Sequence, residues 1–373
     1  MNESMEYGYT LADLYEKAQD GGLTDIQERL ARTWTYLDED LPGEEALRER
    51  DDAYREFVGY IRRHRASYAA SDVRRYDFRG ALPEDVVRFS DIPYREDADR
   101  CRAHRLDVFL PKSAYLRGDA DIPTIFNIHG GAFFYSFKEI QNAYAAGLAQ
   151  RGFAVVVPNY TLAPGGDVLT MLEDVNGALG WLRGQGARYQ LSDEQLFLAC
   201  DSAGALLGLL LLAAETNAEV ASRLGVESFG TAFQSVGFVS GMLVYDHLFD
   251  RTKPDASGML DILRPAFLRL VERFEGSAFD TSEGLLSSIT VPPTWLSTST
   301  DDFLETDTLL TAVALRRMNR DHELVDWRAV NGRRKPHDYP LMTWDPESAL
   351  ANDSMAAFFR EHMRVRRSLS ASV

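Results

Sequence analysis

The 373-residue sequence predicts an α/β fold: a mostly parallel central sheet flanked by helices, with a helical cap. Two observations predict it. Short apolar runs, Ile122 to Ile128, Phe153 to Val157 and Leu196 to Ala199, alternate with stretches of helical period such as Val168 to Arg183 and Ala203 to Ala214. The run Phe153-Ala-Val-Val-Val157 also lacks a polar face, so it reads as a strand buried on both sides, the setting of a parallel sheet covered by helices.

Residues 23 to 66 read as helices. Leu23, Ile26, Leu30, Trp34 and Leu37 recur at helical spacing behind a Thr24–Gln27 capping box, and Pro42-Gly43 breaks the pattern. Leu47, Tyr54, Phe57 and Ile61 then share one face of a second helix. This N-terminal segment, 1–85, is expected to form part of the cap. Val86 to Phe89 and Leu106 to Leu110 open the core, which is assigned to 86–240 and 291–366. Its later strands are Ser235 to Val239, Pro293 to Thr298 and Leu324 to Val330, and its later helices are Leu304 to Met318 and about Glu347 to Met363. Between Gly241 and Thr290 the alternation lapses into a helical, loop-rich stretch holding Ile262 to Phe274, and 241–290 is expected to be a cap insertion. The tail, 367–373, is expected to be disordered.

The chain is 45% hydrophobic and 26% charged, the composition of an ordinary globular protein. Its 57 acidic and 40 basic residues give a formal charge of −17, which repels phosphate backbones and anionic lipid, so neither nucleic acid nor a membrane is an expected partner. Basic clusters at Arg62, Arg63 and Arg65, at Arg333 to Lys335 and at Arg364 to Arg367 read as solvated surface or helix C-terminal charge. Cys101 and Cys200 form neither a disulfide framework nor a metal-binding spacing. Met1 to Asp25 carries acids and no apolar run of a signal peptide, and Leu206 to Ala214 is too short to span a bilayer. A cytoplasmic location is therefore the expectation. Gly165-Gly166 lacks the spacing of a dinucleotide fingerprint, and no cofactor or metal is expected. The sequence carries no signal for the oligomeric state.

The segments that bear on chemistry lie at strand ends, where open parallel sheets bind ligands. Cys200-Asp-Ser-Ala-Gly204 follows a strand and precedes a helix. A sharp strand-to-helix turn exposes a serine hydroxyl to a neighbouring base, and small residues such as Gly204 let it form. Ser202 is therefore a candidate nucleophile; a helix N-cap is its alternative. His129-Gly-Gly-Ala-Phe133 follows Ile122 to Ile128, and glycines there allow backbone amides to approach an oxyanion. Gly130 and Gly131, with Ala203 just after the serine, are the candidate oxyanion donors. Cys200, ending a buried strand, reads as a small hydrophobe.

Together the HGGAF and CDSAG segments resemble those of the hormone-sensitive-lipase-like esterases and lipases, a branch of the α/β-hydrolases. Pro158-Asn-Tyr-Thr-Leu-Ala-Pro164 is similar to that family's Y-R-L-A-P segment, with Thr161 in place of arginine, and Asp174 matches an acid on the following helix. The resemblance runs from about residue 86 to 363 and departs from the family at Cys200, where glycine is usual. It implies an acid after the next-to-last strand and a histidine after the last. Asp302, in Asp301-Asp-Phe-Leu304, is the implied acid, with Asp301 as the alternative and a helix N-cap as the other role for either. His337 is the implied histidine; the family's H-G-F is His337-Asp-Tyr339 here. Chain order Ser…Asp…His is that of the fold.

The resemblance thus implies a carboxylesterase-type serine hydrolase acting on small, short-acyl ester substrates through an acyl-enzyme. An amidase, formamidase or peptidase with the same triad is the nearest alternative, and a non-catalytic ligand-binding protein on the same scaffold is another.

Overall fold

The computed structural model describes residues 37, 39–75, 82–98, 101–329 and 333–363. The expected helix of Leu23 to Trp34, the basic run Arg364 to Arg367 and the tail lie outside them. Eight strands form one sheet: β1 (Val86–Pro93), β2 (Arg105–Pro111), β3 (Ile122–Ile128), β4 (Ala154–Pro158), β5 (Leu191–Asp201), β6 (Val236–Val239), β7 (Thr294–Ser299) and β8 (His322–Trp327). Their spatial order is β1-β2-β4-β3-β5-β6-β7-β8. β2 runs antiparallel to both neighbours, and every pair from β4 to β8 is parallel.

The main helices are α1 (Asp52–Arg75), α2 (Asn142–Gln150), α3 (Val168–Gln185), α4 (Ala203–Thr216), α5 (Leu268–Phe274), α6 (Glu305–Arg317) and α7 (Pro346–Glu361). Two apolar cores cover the two sheet faces. Val156 joins the one beneath α3 and α4, while its neighbours Val155 and Val157 join the one beneath α2 and α7. That is the two-sided burial the unbroken apolar run requires. Every residue of α4 from Ala203 to Glu215 is buried, which accounts for its apolar character all round. No described helix is long and apolar enough to cross a membrane.

Two strand bounds change. The fifth strand begins at Leu191, paired with Ile122, because exposed Asp193 and Glu194 at its start disguise it as a loop. The last strand ends at Trp327, with residues 330–332 outside the described set. The helical part of the 241–290 stretch, Ile262 to Phe274, is divided at Pro265 into Leu260–Leu263, a 3₁₀ turn and α5.

The basic clusters are also not uniformly solvated. Arg65 is wholly buried: it pairs with Asp40 at 2.6 and 2.8 Å and donates to Phe134 O at 2.6 Å and Ala163 O at 2.7 Å, as well as to Leu37 O. Lys335 is buried between Glu347, at 2.9 Å, and Asp345, at 2.5 Å.

Candidate active site

Five strand ends converge on one cavity. At the end of β5, Ser202 takes φ +50 and ψ −122, a backbone conformation rare for a residue with a side chain. β6 holds the turn, because Ser202 N–H donates to Val239 O at 2.9 Å and Met242 N–H to Ser202 O at 2.9 Å. Gly204 is required by close approach, since a Cβ there would overlap the carbonyl oxygens of Ile128 and His129. Ser202 sits at the N-cap position of α4 but makes no capping bond. Its Oγ instead lies 2.8 Å from His337 Nε2.

His337 Nδ1 lies 2.7 Å from Asp302 Oδ1. The same carboxylate accepts from Leu304 N–H at 2.9 Å and Thr298 Oγ1 at 3.2 Å, so it also secures the entry to α6. Burial pushes the Asp302 carboxyl up, but His337, with Ser240 and Leu304 N–H, outweighs it and holds the group below the usual carboxylate range. Asp301 turns the other way, bridging to Pro336 through its backbone and facing Arg334 at 3.5 Å. Of the two adjacent aspartates, Asp302 is the one whose carboxylate reaches His337.

The histidine loop is fastened on several sides. Ser299 Oγ donates to Lys335 O at 2.5 Å, Lys335 is tied to the start of α7, and Asp338 N–H donates to Ser240 Oγ at 3.0 Å. Phe303 covers one face of His337 with ring centroids 4.3 Å apart. Asp338, in left-handed backbone at φ +58, brings Oδ2 to 3.2 Å from His337 Nε2.

The loop after β3 lies opposite. Gly130 is the expected oxyanion donor that the structure commits elsewhere: its N–H donates to Asp201 Oδ2 at 2.8 Å. Its lack of a side chain serves proximity instead, since a Cβ would meet Ser202 Cβ at 2.7 Å. Gly131 and Ala203 line the cavity, and among the described residues no acceptor meets either N–H. Ala132, next in the loop at φ +55, lines it too.

The segment Pro158 to Pro164 braces this loop from behind. Tyr160 Oη donates to His129 O at 2.6 Å and stacks on the His129 ring, and Ala163 N–H donates to Phe133 O at 2.9 Å. Burial pulls the His129 imidazole down to about 4, so it is neutral scaffolding. Asp174 holds Thr161 N–H at 2.9 Å. With threonine in the arginine's place, Arg95 and His104 supply the positive partners of Asp174.

Cys200 points away from the cavity, its sulfur packed against Gly208 on α4. Burial first, and then Asp201, push its thiol well above the usual value, so the reactive thiolate is suppressed.

The cavity measures about 490 Å³. Tyr68 and Asp72 come to it from α1, Met259 and Leu263 from the 241–290 stretch, and Phe133 and Phe303 from the core. Sequence reasoning missed Asp72 and Asp338, which carry no local motif, and Phe303, whose place over His337 needs the fold.

Comparison with known proteins matches the BD-FAE family model to residues 106–236. Over 125 residues the chain is 30% identical to a kynurenine formamidase of Danio rerio, covering 34% of this chain. The match spans 39% of that relative's length. Among solved structures, esterase B of Lactobacillus rhamnosis superposes with a TM-score of 0.73 at 24% identity, covering 83% of this chain and 96% of that one. A bacterial heroin esterase superposes with a TM-score of 0.56 at 19% identity, covering 89% and 100%. The fold is that of the α/β-hydrolases.

Proposed function

We propose that this chain is a serine hydrolase that cleaves small carboxylic esters through an acyl-enzyme, with Ser202, His337 and Asp302 as its triad. The observation that carries the reading is the unbroken relay from Ser202 Oγ to His337 Nε2 at 2.8 Å and from His337 Nδ1 to Asp302 at 2.7 Å. His337 takes the Ser202 proton as Oγ attacks the carbonyl carbon, and returns it to the leaving oxygen when the ester bond breaks. It then activates water, which releases the acid. Asp302 fixes the ring so that Nε2 faces Ser202 and stabilises the imidazolium. The N–H groups of Gly131 and Ala203 meet the oxyanion, with Ala132 taking the place that Gly130 cedes to Asp201.

Residues 39–75 and 241–290 act as the cap. Leu263, Phe267 and Leu270 are all buried, so this face of the insertion packs inward. A confined pocket gains about 0.8 kcal/mol per buried methylene until it is full. We therefore expect kcat/KM to peak at acetyl to butyryl in a series of p-nitrophenyl esters below micellar concentration. A rate still climbing at decanoyl and rising at an oil–water interface would contradict the confined pocket. Esterase B has been captured with a tributyrin phosphonate, a relative's behaviour that supports small-ester chemistry here.

A second reading, amide or formamide hydrolysis by the same triad, is favoured by the likeness to kynurenine formamidase. An ester and its matching anilide, assayed in parallel, separate the two.

A further inference from the structure

We propose that Asp338 equips this site to cleave secondary amides, N-acylated amines that keep an N–H, by accepting a hydrogen bond from the departing nitrogen. The inference rests on the triad assigned above. His337 Nε2 must come within hydrogen-bonding distance of the leaving atom to hand it a proton. Asp338 Oδ2 stands 3.2 Å from that same nitrogen, with Ser202 Oγ at 2.8 Å. A carboxylate oxygen is therefore held beside the place where the leaving group departs.

The mount is firm. Asp338 N–H donates to Ser240 Oγ at 3.0 Å, and Ser240 also bonds the carboxyl of Asp302. The residue holds a left-handed φ of +58 and lines the cavity. The described lining includes Asp72, Asp201 and Asp338 and no lysine or arginine, a balance of charge suited to an amine leaving group and adverse to a phenolate.

The chemistry distinguishes the two leaving groups. When Oγ bonds to the carbonyl carbon, its proton passes to Nε2 and the carbonyl electron pair moves to the oxyanion. In an amide the nitrogen then loses conjugation and becomes pyramidal. Its lone pair turns to Nε2 to receive the proton, and its N–H turns away and needs an acceptor. As the carbonyl re-forms, the C–N bond breaks with its pair on nitrogen, and a neutral amine leaves an acyl-enzyme. Asp338 supplies that acceptor in the transition state, where a new interaction raises the rate. An ester oxygen has no hydrogen to offer, so the carboxylate gains nothing from it and repels its lone pairs.

The test compares p-nitroacetanilide, its N-methyl analogue and p-nitrophenyl acetate with wild type, Asp338→Asn and Asp338→Gly. Asparagine and glycine both tolerate a left-handed φ, and an amide-to-ester ratio of kcat/KM cancels any loss of folded enzyme. The expected result is wild-type turnover of the anilide but not of the N-methyl analogue. The ratio should fall about tenfold or more in Asp338→Gly and stay largely intact in Asp338→Asn, which keeps an acceptor oxygen. An unchanged ratio in Asp338→Gly, or a wild type that cleaves the ester and not the anilide, overturns the proposal and leaves the esterase reading standing. A wild type that cleaves neither overturns both.

Discussion

The sulfur of Cys200 fills the space that a side chain on Gly208 would need: a Cβ built on Gly208 overlaps Cys200 Sγ. The bulk that replaces the usual glycine at the serine turn is thus accommodated within α4. Gly208→Ala should destabilise the protein by about 1–3 kcal/mol through overpacking, although alanine is the better helix former by about 1 kcal/mol. Cys200→Gly should keep hydrolysis and lose about 1–2 kcal/mol to the void, and the double variant should recover most of that loss. Urea unfolding with an ester assay reads all three, and a Gly208→Ala protein more stable than wild type would refute the pairing.

Asp302 and Asp301 separate by kinetics. Asp302→Asn should lower kcat by about 10⁴-fold, as in the template triad, because the ring loses its orienting partner. Asp301→Asn, whose carboxylate faces Arg334, should stay within the same order of magnitude. A reversed pair of results would move the acid by one residue.

These two cases mark what the sequence made legible. Strand-helix alternation and the glycines at tight turns are local signals, so the sheet and the strand-to-helix turn at Ser202 could be read from the residues, whereas His337 was reached only through the family resemblance. The choice between adjacent aspartates was not local; it depends on which way the chain turns after β7. The partner of Asp174 was not local either, since Arg95 lies 79 residues before it. Gly130 looked like an oxyanion donor because its flexibility was visible, whereas the competing Asp201 carboxylate comes from another strand end.

In the sequence Arg65 has the look of surface charge, because nothing nearby reveals the carbonyls it meets. Arg65→Met would leave Phe134 O and Ala163 O without their donor and break the pair with Asp40. The expected loss is about 3 kcal/mol, together with lower kcat, since Phe134 belongs to the loop that carries Gly131. Guanidinium unfolding and steady-state rates check both; full activity at wild-type stability would contradict the role.

His104 sets a pH dependence of stability. Burial pulls its imidazolium down, but Asp174, Cys101 and Asp97 outweigh it and push the group up to about 10, from an ordinary value of 6.5. The folded state therefore holds an extra proton between those values, so this stabilisation is complete below about pH 6.5 and is lost as pH rises through about 10. The stability difference between wild type and His104→Gln should shrink across that window, as measured by urea midpoints at fixed ionic strength. A difference that grew with pH would reverse the assignment.

The central claim is that Ser202 is the nucleophile, and active-site labelling tests it most directly. Wild-type protein treated with a fluorophosphonate should gain one adduct, located by peptide mass spectrometry on Ser202, in step with complete loss of p-nitrophenyl acetate hydrolysis. Ser202→Ala should neither be labelled nor turn over the ester. An adduct on another residue, or Ser202→Ala hydrolysing at the wild-type rate, would contradict the account.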